Sequence, residues 1–145
     1  MYFVDRNKIE KTLRYMETLL RVYKQQSSWE GELAQLALER TIHLLIEAVL
    51  DVGNAMIDGF IMRDPGSYED IIDILTDEKV ITEHDAKGLK AIISYRKMLV
   101  QQYTDVHHSQ LLETVNEHFS ALQSYPMAIR TYLENELGPV SAFRN

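Results

Sequence analysis

Residues 29–62 limit what this chain can fold into more than any other stretch. At helical spacing, Leu36, Leu38, Ile42, Leu44, Leu45, Ile46, Val49 and Leu50 cover almost the whole circumference of a helix running from about Trp29 to about Met62. A helix that is apolar nearly all round must be central, with other helices packed against it. One narrow polar seam interrupts the apolar surface: Arg40, His43, Glu47, Asp51, Asn54 and Asp58, at steps of three and four residues. That seam has to face something polar. Solvent, an internal ion-pair network and the wall of a cleft all satisfy the requirement.

The rest of the chain supplies the surrounding helices. Asp5 is a candidate N-cap for a helix carrying Ile9, Leu13, Met16, Leu20 and Tyr23 on one face. "QQSSWE" interrupts the pattern, and Ser27 with Glu30 has the spacing of a capping box for the central helix. "RDPGS" ends that helix, and Ser67 or Tyr68 opens a short third one through Leu75. Thr82 with Asp85 starts a fourth. A fifth runs from Leu111 towards Leu137 after "TDVHHS", with Pro126 expected to kink or split it and Gly138-Pro139 to stop it. With 145 residues, six Gly and three Pro, no repeat and no linker, the expected architecture is all-α: one domain over 1–145, an antiparallel bundle of about five helices.

Composition removes several function classes. There is no cysteine, so disulfides, thiolate metal sites and a cysteine nucleophile are excluded. Asp5 falls before any apolar run could form a signal-peptide core, and no apolar stretch approaches the ~20 residues that span a bilayer. A cytoplasmic protein without membrane contact is expected. The net charge of −7 argues against a broad basic surface for long nucleic acid, but leaves room for a small basic pocket.

"SYRKMLVQQY", residues 94–103, holds the most informative side chain. Leu89, Ile92, Ile93, Leu99, Val100 and Tyr103 form an apolar stripe on the fourth helix, and Arg96 sits within it. An isolated charge is costly to remove from water, so this guanidinium needs a partner or a purpose. Glu47 or Asp51 from the central seam is the natural partner. The purpose would be an anion, since a planar guanidinium fork suits phosphate. At about 100° per residue Tyr103, seven residues on, points almost the same way, and Gln101 lies on the flank. His43 and Glu47 are one turn apart, a spacing able to seat a divalent metal, but no third ligand stands at matching spacing, so neither a metal site nor a cofactor is expected. His107 and His108 lie in a polar connection and are expected to face solvent. "DPGS" lacks the Gly-Lys-Ser/Thr ending of a phosphate loop. The tail "NELGPVSAFRN" is able to fold back on the bundle or to reach a neighbour.

"YRKMLVQQY" resembles the signature of the HepT-like toxins, minimal members of the HEPN superfamily, whose motif reads Arg, four residues, His, one residue, Tyr. "ERTIHLLIEAVLDVGNAMI", "SYEDIIDIL" and "YLENELGPVSAF" are similar to the same family, specifically to a small branch found in Gram-positive bacteria, so the likeness covers nearly the whole chain. The resemblance implies an HEPN-like helical bundle acting as a homodimer, with two motifs brought into one cleft. It implies metal-independent RNA endonuclease activity and a small nucleotidyltransferase antitoxin that neutralises the toxin by adenylylating the motif tyrosine. Residue by residue, Arg96 takes the arginine position and Tyr103 the tyrosine position, while Gln101 occupies the histidine position. That substitution matters, because a glutamine amide hydrogen-bonds phosphate but carries no proton. Loss of a general acid–base costs about 10²–10⁴ in rate. The expectations are therefore a ribonuclease toxin with catalytic positions Arg96, Gln101 and Tyr103 backed by the seam Arg40, His43, Glu47, Asp51 and Asn54. The alternatives are a degenerate HEPN dimer that binds nucleotide, RNA or a nucleotidyltransferase without cleavage, and a dimer in which Arg96 is only an interface charge.

Overall fold

The computed structural model describes residues 2–138, and the expectation for the tail at 139–145 lies outside them. The described chain contains seven helical segments: α1 (Arg6–Gln25), α2 (Glu32–Gly59), α3 (Tyr68–Asp77), α4 (Glu83–Ile93), α5 (Arg96–Val100), α6 (His108–Glu117) and α7 (Phe119–Leu137). No strand occurs among these residues. The all-α expectation holds, and the count of seven has a definite origin. The expected fourth helix is divided into α4 and α5, and the expected fifth into α6 and α7.

Three of the expected starts are realised by the predicted cap atoms. Asp5 Oδ1 accepts from the Lys8 N–H at 3.0 Å, Ser67 Oγ from Asp70 at 3.1 Å, and Thr82 Oγ1 from Asp85 at 3.1 Å. The central helix starts differently. Ser27 and Glu30 form no capping box; Ser28 Oγ takes the Glu30 N–H at 3.2 Å, and α2 begins only after Gly31, whose φ of +91° turns the chain into the helix. Glycine adopts that conformation without a Cβ penalty. Gly138, at φ +82°, ends α7 in the same left-handed region.

The divisions also have local causes. Ser94 Oγ donates back to the Ala91 carbonyl at 2.6 Å, and the Tyr95 N–H reaches Ile92 rather than one residue further back, tightening the turn between α4 and α5. The break in the last helix is at His118 (φ −110°, ψ 18°), not at Pro126, which α7 carries in its interior. A Cβ on Gly88 would stand 3.1 Å from the His118 Cβ and 3.0 Å from that of Ala121, so α4 crosses closely over this junction.

α2, 28 residues and about 42 Å long at ~1.5 Å per residue, is central as its apolar girth requires. It packs against α1, α3 and α5, while α7 packs on α1 and α4. Leu38, Ile42, Leu45, Ile46 and Met56 are fully buried, and the core residues form one contiguous cluster. α7 is tied to α1 by Arg130, whose Nε and Nη2 donate to the Glu10 carboxylate at 2.9 Å each, and whose Nη1 and Nη2 donate to Glu17 at 2.9 and 2.8 Å. Hydrogen bonds from Arg130, more than its charge alone, hold both carboxyls below the usual carboxylate range.

A lowered folded pKa fixes the sign of a pH effect. The clamp contributes fully above the unfolded carboxylate range, ~4.3, and its contribution disappears as pH falls through the lowered folded values. Because these groups are partly solvated, screening keeps the total to about 1 kcal/mol or less. Urea midpoints should therefore fall slightly in Arg130→Gln at pH 7, and the gap from the parent should close towards pH 3 and in high salt. A gap that widens on acidification would show that Arg130 acts otherwise.

Candidate functional site

Arg96 is the first residue of α5, and the tight turn at Ser94–Tyr95 aims it at the central helix. Its Nε donates to Glu47 Oε1 at 2.7 Å. Its guanidinium carbon lies 4.5 Å from the centroid of the Tyr68 ring, a cation–π contact of about 0.5–2 kcal/mol. Arg96 therefore has its partner, and the partner is Glu47 rather than Asp51. It is not sealed, however: 23% of its side chain remains accessible, and 28% of that of Glu47. Among the described residues, Nε is the guanidinium nitrogen that makes a hydrogen bond, so the two terminal nitrogens keep their donors for a ligand.

Tyr68 had no signal in the sequence, yet it is the most elaborately held member of the site. Arg63 grips Asp70 through a two-pronged fork at 2.8 and 2.9 Å, and the Gly66 N–H donates to Asp70 Oδ2 at 2.8 Å. With the Ser67 cap, these bonds fix the loop before α3 and place Tyr68 at the first turn, beneath the Arg96 guanidinium.

The polar seam of α2 divides into two parts. His43 Nε2 lies 3.4 Å from Glu47 Oε1, in ion-pair range but not aligned as a hydrogen bond. One turn earlier, Glu39 Oε2 lies 2.8 Å from His108 Nε2. His108 is thus half-buried against α2, not solvent-facing as expected, whereas His107 is exposed. Glu39 extends the seam by one member, since Glu39, His43 and Glu47 stand at successive steps of four, a spacing legible in the sequence. The other part, Asp51, Asn54 and Asp58, is exposed and borders a concavity of about 340 Å³ shared with Lys8 and Thr12 of α1. The Asp51 carboxyl is pushed above its ordinary range, first by partial desolvation and then by the Glu47 charge, with Lys8 and Arg96 opposing. Arg40 is exposed. Among the described residues, His43 and Glu47 gain no third metal-type ligand; what meets Glu47 is a guanidinium.

Gln101 and Tyr103 are not arranged as a continuous helix would arrange them. α5 ends at Val100, and the N–H groups of both Gln101 and Gln102 fold back to the Lys97 carbonyl, at 2.8 and 3.2 Å. Gln101 is the exposed C-cap, and Tyr103, 66% accessible, follows in the turn. Neither shares a hydrogen bond or ring contact with Arg96 among the described residues.

A separate hollow of about 640 Å³ opens between the end of α1 and the start of α6. Tyr23 stacks between Trp29 and Phe119, and its hydroxyl donates to Asn116 Oδ1 at 2.6 Å. Burial pushes that phenol up to about 12. His108 lines this hollow, but Arg96 does not.

Comparisons with known proteins show what the chain is similar to. A protein of Bacillus subtilis (strain 168) described as "Putative RNase YutE" is 58% identical over 144 residues, covering 99% of this chain and all of the relative. The solved structure of YutE, described as a cytosolic protein of unknown function, superposes with a TM-score of 0.95 at 59% identity, over 99% of this chain and all of that one. The Shewanella oneidensis HEPN toxin, tri-AMPylated and in complex with an MNT antitoxin, matches with a TM-score of 0.69 at 21% identity, over 86% of this chain and 95% of that one, a likeness of fold. A toxin–antitoxin structure with AMP-PNP gives a TM-score of 0.71 at 17% identity, over 86% and 96% of the two chains. No helix among the described residues is long and apolar enough to cross a membrane. The family profile described as "Ribonuclease HepT-like" matches residues 9–129, and the chain belongs to the HepT-like family.

Proposed function

We propose that this chain is the toxin-type component of a toxin–antitoxin pair: a metal-independent RNA endonuclease that works as a cytoplasmic homodimer and is held in check by a small nucleotidyltransferase. The observation that carries the reading is the state of Arg96. It is oriented by Glu47 through one nitrogen and supported from below by Tyr68, with its outer nitrogens left to grip a scissile phosphate. Such a preorganised cation stabilises charge that develops on phosphorus oxygens during transesterification. In a dimer, two such arginines would face one RNA strand. The accessible Tyr103 hydroxyl suits modification by a partner enzyme, and the Shewanella toxin described as tri-AMPylated with its antitoxin supports that role.

Gln101 favours a second reading, a degenerate dimer that binds RNA, nucleotide or the nucleotidyltransferase without cutting. The test is cleavage of mixed RNA by the purified chain in chelator, beside Arg96→Ala and Gln101→His. Cleavage that vanishes in Arg96→Ala is expected. Arg96-dependent binding without cleavage, converted to cleavage by Gln101→His, would replace the first reading with the second.

A further inference from the structure

Cleavage of RNA without metal needs a group that takes a proton from the 2′-hydroxyl, and Gln101 cannot supply it. The α2 seam places an imidazole beside Arg96 instead. Glu47 Oε1 accepts from Arg96 Nε at 2.7 Å and lies 3.4 Å from His43 Nε2. Guanidinium and imidazole therefore meet on one oxygen, no further apart than those two distances laid end to end. Both side chains are partly accessible, so a phosphodiester held on the Arg96 terminal nitrogens would bring its neighbouring ribose towards His43. The His43 side chain is 26% accessible, and its Nε2 is not committed to a hydrogen bond with Glu47. The charged and titratable groups placed around it are Glu39 and Glu47 on its own helix, Arg96 from α5, and His108 from α6 through Glu39. His108 is less well placed. Its Nε2 is engaged by Glu39, which lies eight residues, about 12 Å along α2, from the glutamate that holds Arg96.

Building on the RNA-cleavage reading above, we infer that His43 is the proton carrier of the site, standing in for the imidazole that Gln101 lacks. His43 Nε2 takes the 2′-hydroxyl proton as the 2′-oxygen–phosphorus bond forms. The bond from phosphorus to the 5′-oxygen breaks, leaving a 2′,3′-cyclic phosphate. The departing oxygen takes a proton from water, and the hydroxide so formed is neutralised by the His43 imidazolium. Glu47 serves as the common rest that keeps both groups on the same phosphate.

The experiment uses the full chain in chelator, with cleavage followed under single-turnover conditions across neutral pH, for the parent, His43→Gln and Arg96→Ala. His43→Gln is expected to slow cleavage by about 10²–10⁴ and to flatten the pH profile while RNA affinity persists. Arg96-dependent cleavage that proceeds in His43→Gln at the parent rate and pH profile overturns the assignment and leaves the ribonuclease reading standing. Absence of cleavage by the parent overturns that reading, and the proton-carrier role falls with it. An independent check needs no turnover. Adenosine 2′,3′-cyclic phosphate, the product form, should shift the His43 imidazole resonances of the parent, and the shift should be missing in Arg96→Ala. Saturating binding of that nucleotide without any effect on His43 counts against the assignment even if RNA is cut.

Discussion

Gly53→Ala is expected to destabilise the protein by about 1–2 kcal/mol, although alanine is the better helix former. Gly53 is buried in the C-terminal third of α2, where α3 crosses and where the Tyr125 hydroxyl from α7 donates to the Val49 carbonyl at 2.8 Å. A Cβ there would stand 2.5 Å from Ile71 Cγ2, with Leu75 Cδ1 and the Tyr125 hydroxyl each at 3.5 Å. Two effects oppose one another. Replacing a mid-helix glycine gains about 1 kcal/mol in propensity, whereas overpacking a filled core costs about 1–3 kcal/mol and occasionally more. The second wins because the obstructing atom is rigid. Cγ2 is a branch on the β-carbon of a residue only 2% exposed, so it cannot swing aside and α3 itself must shift. Ile71→Leu moves the branch away from the β-carbon, so the double variant should recover part of the loss, a non-additivity of about 0.5 kcal/mol or more in urea unfolding. Full additivity would place the strain elsewhere.

Large features of the fold were legible because they depend on period and on local chemistry. The apolar girth of residues 36–50 required a central α2, and Asp5, Ser67 and Thr82 cap where their spacing predicts. The starts and breaks that differ from expectation depend on information the periodicity does not carry. Gly31 opens α2 through a backbone angle, Ser94 tightens a turn with its own hydroxyl, and the last helix divides at His118, where α4 crosses at Gly88, instead of at its proline. The site shows the same division. The argument that a charge in an apolar stripe needs a partner points from Arg96 to Glu47 or Asp51, and it is Glu47 that meets it, at 2.7 Å. Placing Tyr103 on the same face required the helix to continue, and it ends at Val100. Tyr68 reaches Arg96 only through the loop that Arg63 and Asp70 organise, a tertiary contact with no signature in spacing.

Arg96→Ala should separate function from stability, which is why it is the decisive substitution. In the folded protein it removes one hydrogen bond to Glu47 and the contact with Tyr68, and leaves Glu47 facing only the His43 edge. Both partners of the ion pair are about a quarter exposed, so water re-solvates the carboxylate, and screening limits the loss to about 1 kcal/mol. The loss of activity should be far larger. Removing a preorganised donor aimed at developing charge costs about 10²–10³ in kcat. Arg96→Lys tests the geometry rather than the charge. A lysine satisfies either Glu47 or a phosphate, whereas the guanidinium serves the carboxylate through Nε and a ligand through its outer nitrogens at once. The lysine variant should therefore keep much of the salt-dependent RNA affinity while recovering little of the rate. Urea midpoints and RNA cleavage in chelator, measured on the same preparations, decide the matter. A large fall in stability with unchanged cleavage would make Arg96 a structural charge and remove the phosphate-binding role.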